Sequence, residues 1–314
     1  MTSIVLIVKF SFIFFFAFLF LANQYSGKAS THVFESGKDS LKSAPVNNSK
    51  LHGLAAGFTL GYTGSLILLN KAWYSKETKT SFHFYNDLNH WNQIDKAGHL
   101  WTSFHQSRLG IDALQWAGME TKKSIWIGGM MGIVLLTPVE VFDGYSKDYG
   151  ASLSDLGANA AGSAALIVQS LVWNQIRIMP KYSFHTTAYA PIRPQTFGKN
   201  LAEQMLKDYN GQSYWLSVDV SSFLPKESKY PKWLNIAAGY GASDMMYGNP
   251  EHNNQHGYGS YRRFFISPDI NFQNIKTNNK ILKKVFYLLS PFKFPLPAIE
   301  INSRKQFKFH PIYF

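Results

Sequence analysis

Residues 124–142 read SIWIGGMMGIVLLTPVEVF, an apolar stretch in which Glu140 is the only charged residue. Residues 51–69, which are rich in glycine, and residues 154–178 are also predominantly apolar. Each stretch is long enough to form a membrane-spanning helix or a buried core helix. A further helix with mixed faces is predicted at residues 95–118. Together these helices predict a mainly α protein with a membrane-type helical bundle.

After Pro180 the sequence changes to short segments in which apolar and polar residues alternate, a pattern typical of β-strands. Pro268 and Pro311 predict edge positions or bulges in these strands. We therefore expect a short-stranded, β-rich C-terminal region after the helical bundle. The predicted strands are residues 214–220, 234–242, 264–272, 298–302 and 307–314.

Residues 10–22 read FSFIFFFAFLFLA and directly follow Lys9. A weak positive flank, an apolar core and then polar residues resemble a secretory signal peptide. An uncleaved N-terminal anchor is the alternative. The predicted domain organisation is a signal peptide or anchor at 1–30, a polar linker at 31–50, a helical domain at 51–178 and a basic, aromatic, β-rich region at 179–314.

The positive charge of the chain is concentrated in its second half. The formal net charge is +12, and residues 177–314 contribute +10 of it, with 18 Lys or Arg against 8 Asp or Glu. Such a region suits the anionic head groups of membrane lipids or another polyanion, and charge that serves solubility alone is the alternative. No nucleic-acid-binding motif is present, so nucleic acid is not a predicted partner. The chain has no cysteine, which excludes disulfides, cysteine nucleophiles and lipid attachment to an N-terminal cysteine.

Three polar motifs lie at the ends of the predicted helices. Asp95 and His99 are four residues apart and share a helix face. Glu140 and Asp143 end one apolar helix, and Asp155 opens another. Burying an unpaired charge is costly, so we expect these groups to meet in one polar pocket. The candidate catalytic residues are His99, Asp95, Glu140 and Asp155, and the candidate binding residues are Lys96, Arg108, Asp143, Ser154 and Asn159.

Three functions of this pocket stay open. The first is a structural network in which His99 bridges carboxylates. The second is recognition of a lipid or polyprenyl head group, with Lys96 and Arg108 reaching a phosphate. The third is hydrolysis, with His99 as general base and a carboxylate that orients it or binds a metal. The spacing around His99 matches no metal-binding motif, so neither a metal site nor a cofactor is predicted.

The order of these motifs resembles the YfiM-like family of predicted bacterial periplasmic lipoproteins, over residues 53–173. A weaker resemblance extends to VanZ-like membrane proteins. The family resemblance implies an exported envelope protein and no particular reaction. The chain departs from the family by lacking a cysteine and by adding a basic, aromatic C-terminal half. The matching residues are DKAGH (Asp95–His99), Ser107 with Arg108, Glu140, Asp143 and SLSDLGANAAG (Ser152–Gly162).

We therefore expect an exported, membrane-associated envelope protein whose C-terminal region lies outside the cytoplasm. Its expected partners are membrane lipids and envelope proteins, bound through the polar pocket and the basic C-terminal region. The alternative is a membrane-embedded hydrolase of a phospholipid or polyprenyl phosphate. Both the inner and the outer membrane fit these features, and the oligomeric state stays open.

Overall fold

The computed structural model describes residues 46–72 and 78–314. The predicted signal peptide or anchor at 1–30 and most of the predicted linker at 31–50 lie outside the described residues. The prediction of a mainly α protein is wrong. About 50% of the described residues are helical and about 20% are strand, in one six-stranded antiparallel sheet, and the helices do not form a clear membrane bundle. The protein is a mixed α/β protein, because the C-terminal strands pair into a full sheet of their own.

The described chain forms two compact units. The helical unit contains the described residues up to Asn86 together with Thr102–Gln175. The sheet unit contains Asp87–Trp101 together with Ile176–Phe314. Each unit therefore combines segments that are distant in the sequence.

Five longer helices account for most of the first half of the described chain, and they match the predicted apolar segments closely. The break between α3 (Thr121–Gly129) and α4 (Met131–Gly144) falls at Met130, and Pro138 lies inside α4. Ser152 is the N-cap of α5 (Leu153–Trp173), because its Oγ accepts the backbone N–H of Asp155 at 3.1 Å. The helices are α1 (Asn48–Ala72), α2 (Ile94–Trp116), α3 (Thr121–Gly129), α4 (Met131–Gly144) and α5 (Leu153–Trp173).

Small residues bring the helices of the helical unit into close contact. A Cβ atom on Gly132 would lie 2.3 Å from both the backbone and the side-chain oxygen of Ser103. Ser107 Oγ donates to the carbonyl of Gly129 at 2.6 Å and accepts the N–H of Gly132 at 3.0 Å. Ser163 Oγ lies 2.9 Å from the hydroxyls of both Ser103 and Ser107. These serines satisfy one another inside an otherwise apolar helix contact.

Two helical stretches among the described residues are long and apolar enough to cross a membrane: Thr121–Gly144 and Leu153–Trp173. Less than half of the 18-residue apolar window in each stretch is buried within the protein, 44% and 39% respectively. Residues 51–69, predicted as a similar span, are not among them. Core helices of soluble proteins also meet this criterion, so these stretches are weak support for membrane association.

The six strands form one antiparallel sheet in sequence order, so each strand pairs with the next one along the chain. Strand β1 (Ile178–Phe184) is not among the predicted strands, because the predicted third apolar helix extends to residue 178. Pro311 lies beside the shift in register between β5 and the edge strand β6, as predicted. Pro268 pairs with Ile236 of β3 in the interior strand β4, beyond the last residue of β4 that pairs with β5. The strands are β1 (Ile178–Phe184), β2 (Gln212–Val218), β3 (Leu234–Ser243), β4 (Tyr261–Ile270), β5 (Leu296–Asn302) and β6 (Phe307–Tyr313).

Short helices fill the connections between the strands. The last of them, α10, carries lysines on one side and exposed apolar residues on the other. These helices are α6 (Tyr189–Ile192), α7 (Pro194–Phe197), α8 (Leu201–Lys207), α9 (Pro250–Gln255) and α10 (Lys280–Leu289), with 3-10 turns at His90–Gln93, Val220–Phe223 and Phe272–Asn274.

Candidate functional site

The nine predicted site residues divide between the two units. His99, Asp95 and Lys96 belong to the sheet unit, and the other six belong to the helical unit. Eight of the nine are buried, and Ser154 is half-buried. Burial on this scale requires internal partners for the charged groups.

In the sheet unit, Lys96 is neutralised by two carboxylates. Its Nζ lies 2.8 Å from Asp95 Oδ2 and 2.7 Å from Asp87 Oδ2. Asp95 also sits in the first turn of α2, where a negative charge complements the helix dipole. His99 follows one turn later and is only 1% exposed. Because its charge is already paired, Lys96 is a poor candidate for binding a phosphate.

An unusual turn precedes this group. Trp91, Asn92 and Gln93 adopt φ angles of 51°, 47° and 62°, which non-glycine residues rarely adopt. Contacts within the sheet unit hold the turn: the N–H of Trp91 donates to the carbonyl of Gly248 at 2.8 Å, and Arg262 Nη2 donates to Gln93 Oε1 at 2.8 Å. The sequence shows no signal for this turn. It fixes the direction in which α2 begins.

In the helical unit, Ser152 connects three of the predicted residues. Its backbone N–H donates to Glu140 Oε2 at 3.2 Å. Its hydroxyl accepts the N–H of Asp155 and lies 2.9 Å from the hydroxyl of Ser154. The end of α4 and the start of α5 are therefore joined by hydrogen bonds between residues that the sequence analysis selected for chemistry.

The remaining predicted residues are also internal. Arg108, Asp143 and Asn159 are at most 4% exposed. The carbonyl of Asn159 accepts a hydrogen bond from Ser103 Oγ at 2.6 Å. Within the helical unit, these contacts have the character of a structural network.

The sheet unit contains a buried ionic cluster that the sequence analysis did not identify. Lys181 Nζ lies 2.6 Å from Asp269 Oδ2, and Lys293 Nζ lies 3.9 Å from Asp269 Oδ1. Ser217 Oγ donates to the same carboxylate at 2.6 Å. The Asp269 side chain is fully buried. Burial lowers the pKa of Lys293 to about 8, although the charge of Asp269 opposes this effect.

A second ionic group lies on the same sheet. Arg263 binds Glu300 through two hydrogen bonds, at 3.0 Å and 2.7 Å, and His310 Nε2 lies 2.7 Å from Glu300 Oε2. Burial alone would raise the pKa of Glu300. The hydrogen bonds and charges of Arg263 and His310 outweigh it, so the pKa lies below its usual value.

The opposite side of the sheet is apolar and exposed. Every exposed residue in β1–β5 is apolar. One row across the sheet runs through register partners in five consecutive strands, and all of its members are exposed. We call this surface the apolar face, and its members are Leu216, Ile236, Ala238, Phe264, Ile266, Pro268, Pro297, Ile299, Ile301, Phe307 and Phe309.

The alternation of these strands separates a mixed set of residues from an apolar set. In β4 and β5 one set of alternate residues includes serine and charged groups beside Phe265 and Ala298, and the other set, at residues 264–268 and 297–301, is proline, isoleucine and phenylalanine. Antiparallel sheets that face water bury an apolar set and expose a polar one. Here Ser267, Asp269 and Glu300 are buried together with Phe265 and Ala298, and the wholly apolar set is exposed. The residues of the apolar face were therefore recognisable in the sequence, as the apolar set of the alternating pattern.

Comparisons with curated proteins and with solved structures gave no match. A family model matches residues 83–170, a stretch that includes all nine predicted site residues. This match agrees with the predicted resemblance to a lipoprotein-like family and does not single out the YfiM-like or VanZ-like families. The matched family is described as predicted periplasmic lipoproteins (DUF2279), and the match supports an exported location in the cell envelope.

Proposed function

We propose that this is an exported envelope protein that attaches to an anionic lipid membrane through the apolar face of its sheet unit. The observation that carries the proposal is the arrangement of the sheet, in which ion pairs are buried and isoleucine and phenylalanine are exposed. An exposed apolar patch of this kind marks a contact surface. We assign the predicted lipid partner to this surface.

The dimensions of the apolar face suit one leaflet of a bilayer. Five strands spaced about 4.8 Å apart make the apolar face roughly 19 Å wide. Two repeats of alternate residues along each strand make it roughly 13 Å long. Half of a hydrocarbon core is about 15 Å thick. Each large side chain of the face, such as Ile266 at 60% exposed, gains roughly 1 kcal/mol when lipid covers it.

Positive charge is concentrated at one end of the sheet. The connection between β2 and β3 and the segment from residue 271 to the end of α10 leave the sheet at the end where Leu234 pairs with Ile270. Together they contain seven lysines and two carboxylates. Trp233, at 49% exposed, lies in the same region. Lysine and tryptophan beside an apolar surface are typical of a membrane interface.

Helix α10 has the composition of an interfacial helix. Its sequence is KILKKVFYLL, and Ile281 and Val285 are exposed. A basic amphipathic helix lies in the plane of a membrane, with its lysines toward the head groups. The helix therefore favours anionic lipid as the partner.

Single-cysteine labelling tests the proposal directly, because the chain has no cysteine. Ile266→Cys is labelled with a polarity-sensitive fluorophore, and the protein is reconstituted in vesicles that contain acyl-chain nitroxide lipids. Strong quenching is expected. Leu201→Cys is the matched control: Leu201 is 57% exposed on α8 of the same unit and lies off the apolar face, so little quenching is expected.

Equal, weak quenching at both positions would refute the proposal. The label on Ile266→Cys could instead become shielded from solvent as the protein concentration rises in the absence of lipid. That result would assign the apolar face to a second copy of the chain. Charge is tested separately with Lys283→Glu, which should reduce binding to vesicles containing anionic lipid. Lys199→Glu, an equally exposed lysine outside α10, should not.

The hydrolase alternative stays a prediction. It requires His99 to act as general base with Asp95, Glu140 and Asp155. Within the sheet unit Asp95 pairs with Lys96, and within the helical unit Glu140 accepts the backbone N–H of Ser152.

A further inference from the structure

We propose that His252 and His256 form a surface binding site for a divalent transition-metal ion. The two histidines are four residues apart: His252 lies in the first turn of α9, His256 is its C-cap residue, and both are exposed. Two histidines at this spacing on a helix present their rings on one side and are a known zinc-binding arrangement. The site is independent of the apolar face and of the nine residues predicted from the sequence.

The distance between the rings fits a shared ion. The ring centroids of His252 and His256 are 4.4 Å apart, with an interplanar angle of 61°. Two imidazoles bound to one tetrahedral ion, at metal–nitrogen distances of about 2.0–2.1 Å, have ring centres about 5 Å apart. The rings would therefore need to separate by less than about 1 Å to bind the ion.

Hydrogen bonding fixes the orientation of one ligand. His256 Nδ1 lies 2.8 Å from the carbonyl oxygen of His252, so this nitrogen carries the proton and donates. Its Nε2 then has the lone pair that a metal requires. A metal-binding histidine commonly donates its other ring nitrogen to a carbonyl or carboxylate in this way.

The surrounding loop is rigid because Asn253, which is fully buried, uses both ends of its amide. Its Oδ1 accepts the N–H groups of Met246 and Tyr247 at 2.8 Å and 3.0 Å. Its Nδ2 donates to the carbonyls of Asp244 and Tyr258, both at 2.8 Å. These bonds hold α9 in place before any ion binds.

Tyr247 orders the histidine rings. Its ring centroid lies 4.3 Å from that of His252 and 4.5 Å from that of His256. Arg193 covers Tyr247 at 4.5 Å. Imidazole ligands select zinc, copper and nickel ions over magnesium and calcium, and water would complete the coordination. The sequence HNNQH lacks the glutamate of the catalytic zinc motif, so the site would bind the metal without using it for hydrolysis.

The test is a calorimetric titration of the tag-free, full-length protein with ZnCl2 and then with CuCl2. One ion should bind per chain, and Cu2+ should bind more tightly than Zn2+. His252→Ala and His256→Ala should each weaken Zn2+ binding at least tenfold. His52→Ala, which removes a lone exposed histidine of α1, should leave it unchanged.

Unchanged affinity in the double variant His252→Ala/His256→Ala would overturn the proposal. Loss of binding in His99→Ala, with full binding in that double variant, would also overturn it and assign the ion to the sequence-predicted group. Magnesium serves as the negative probe, since a nitrogen site should not bind it measurably. Binding of Mg2+ with the same affinity as Zn2+ would exclude a histidine site.

Discussion

The buried ionic cluster of the sheet unit makes a quantitative prediction for Asp269→Asn. This substitution keeps the shape of the side chain and removes its charge. Lys181 and Lys293, whose side chains are 2% and 1% exposed, then lose their shared carboxylate. Removing one partner of a buried pair costs about 3–5 kcal/mol. At about 2–4 °C per kcal/mol for a unit of this size, Tm should fall by roughly 6–20 °C at pH 6.

The effect should shrink at higher pH. The pKa of Lys293 is about 8 in the folded protein, against an ordinary lysine value of 10.5. Between these two pH values the unfolded chain binds more protons than the folded chain, so the contribution of Lys293 to stability rises with pH. At pH 9 this lysine is mostly neutral in the folded parent, and Asp269 has less charge to compensate. The difference in Tm between Asp269→Asn and the parent should therefore be smaller at pH 9 than at pH 6.

Thermal unfolding followed by circular dichroism at pH 6 and pH 9 measures both effects. Glu120→Gln is the matched control, because Glu120 pairs with Lys123 at 3.9 Å on the surface. An exposed pair contributes less than about 1 kcal/mol, so this variant should melt close to the parent at both pH values. The reasoning fails if Asp269→Asn melts within about 2 °C of the parent at pH 6. A difference that does not narrow at pH 9 would refute the assigned role of Lys293.

Three further predictions concern the helices and use the same unfolding assay. Gly132→Ala should destabilise the protein by about 3 kcal/mol, because the new Cβ atom would lie 2.3 Å from a neighbouring backbone oxygen. Gly157→Ala should instead stabilise its helix by about 0.5–1 kcal/mol, because a Cβ atom at that position has no neighbour within 4 Å. Ser152→Ala removes the N-cap of α5 and should cost about 1 kcal/mol, and an unchanged Tm would show that the cap contributes nothing. His99→Ala and Asp155→Asn should each lower stability by about 1–3 kcal/mol and reduce any cellular phenotype in proportion. Variants that stay as stable as the parent but lose the phenotype would instead identify a working site.

The helices were predictable because their signals are local. A long apolar stretch such as residues 124–142 is recognisable without any knowledge of its partners. The N-cap of α5 is equally local, since it depends on Ser152 and the residues directly after it. The start of the sheet was not predictable in this way. Residues 178–184 become a strand only because β2 pairs with them along their whole length.

The candidate site shows a different limit. The sequence identified ionisable residues at helix ends, and the structure confirms that almost all of them are buried. It gave no indication that Lys96 would be paired with Asp87 or that Glu140 would bind the backbone of Ser152. Such pairings depend on how the chain returns on itself. A residue type and a helical spacing can therefore identify a buried polar group before they can identify its partner.

The sheet unit combines two features that are each unfavourable in water. Its exposed isoleucines and phenylalanines forgo the hydrophobic stabilisation that burial would provide, about 25 cal/mol for each Å². Its buried lysines and carboxylates have lost their hydration, which their mutual attraction only partly replaces. The proposed lipid phase on the apolar face would remove the first cost directly. It would also account for the second, because polar residues have no favourable place on a surface that faces hydrocarbon and are better placed on the inner side of the sheet, where they pair.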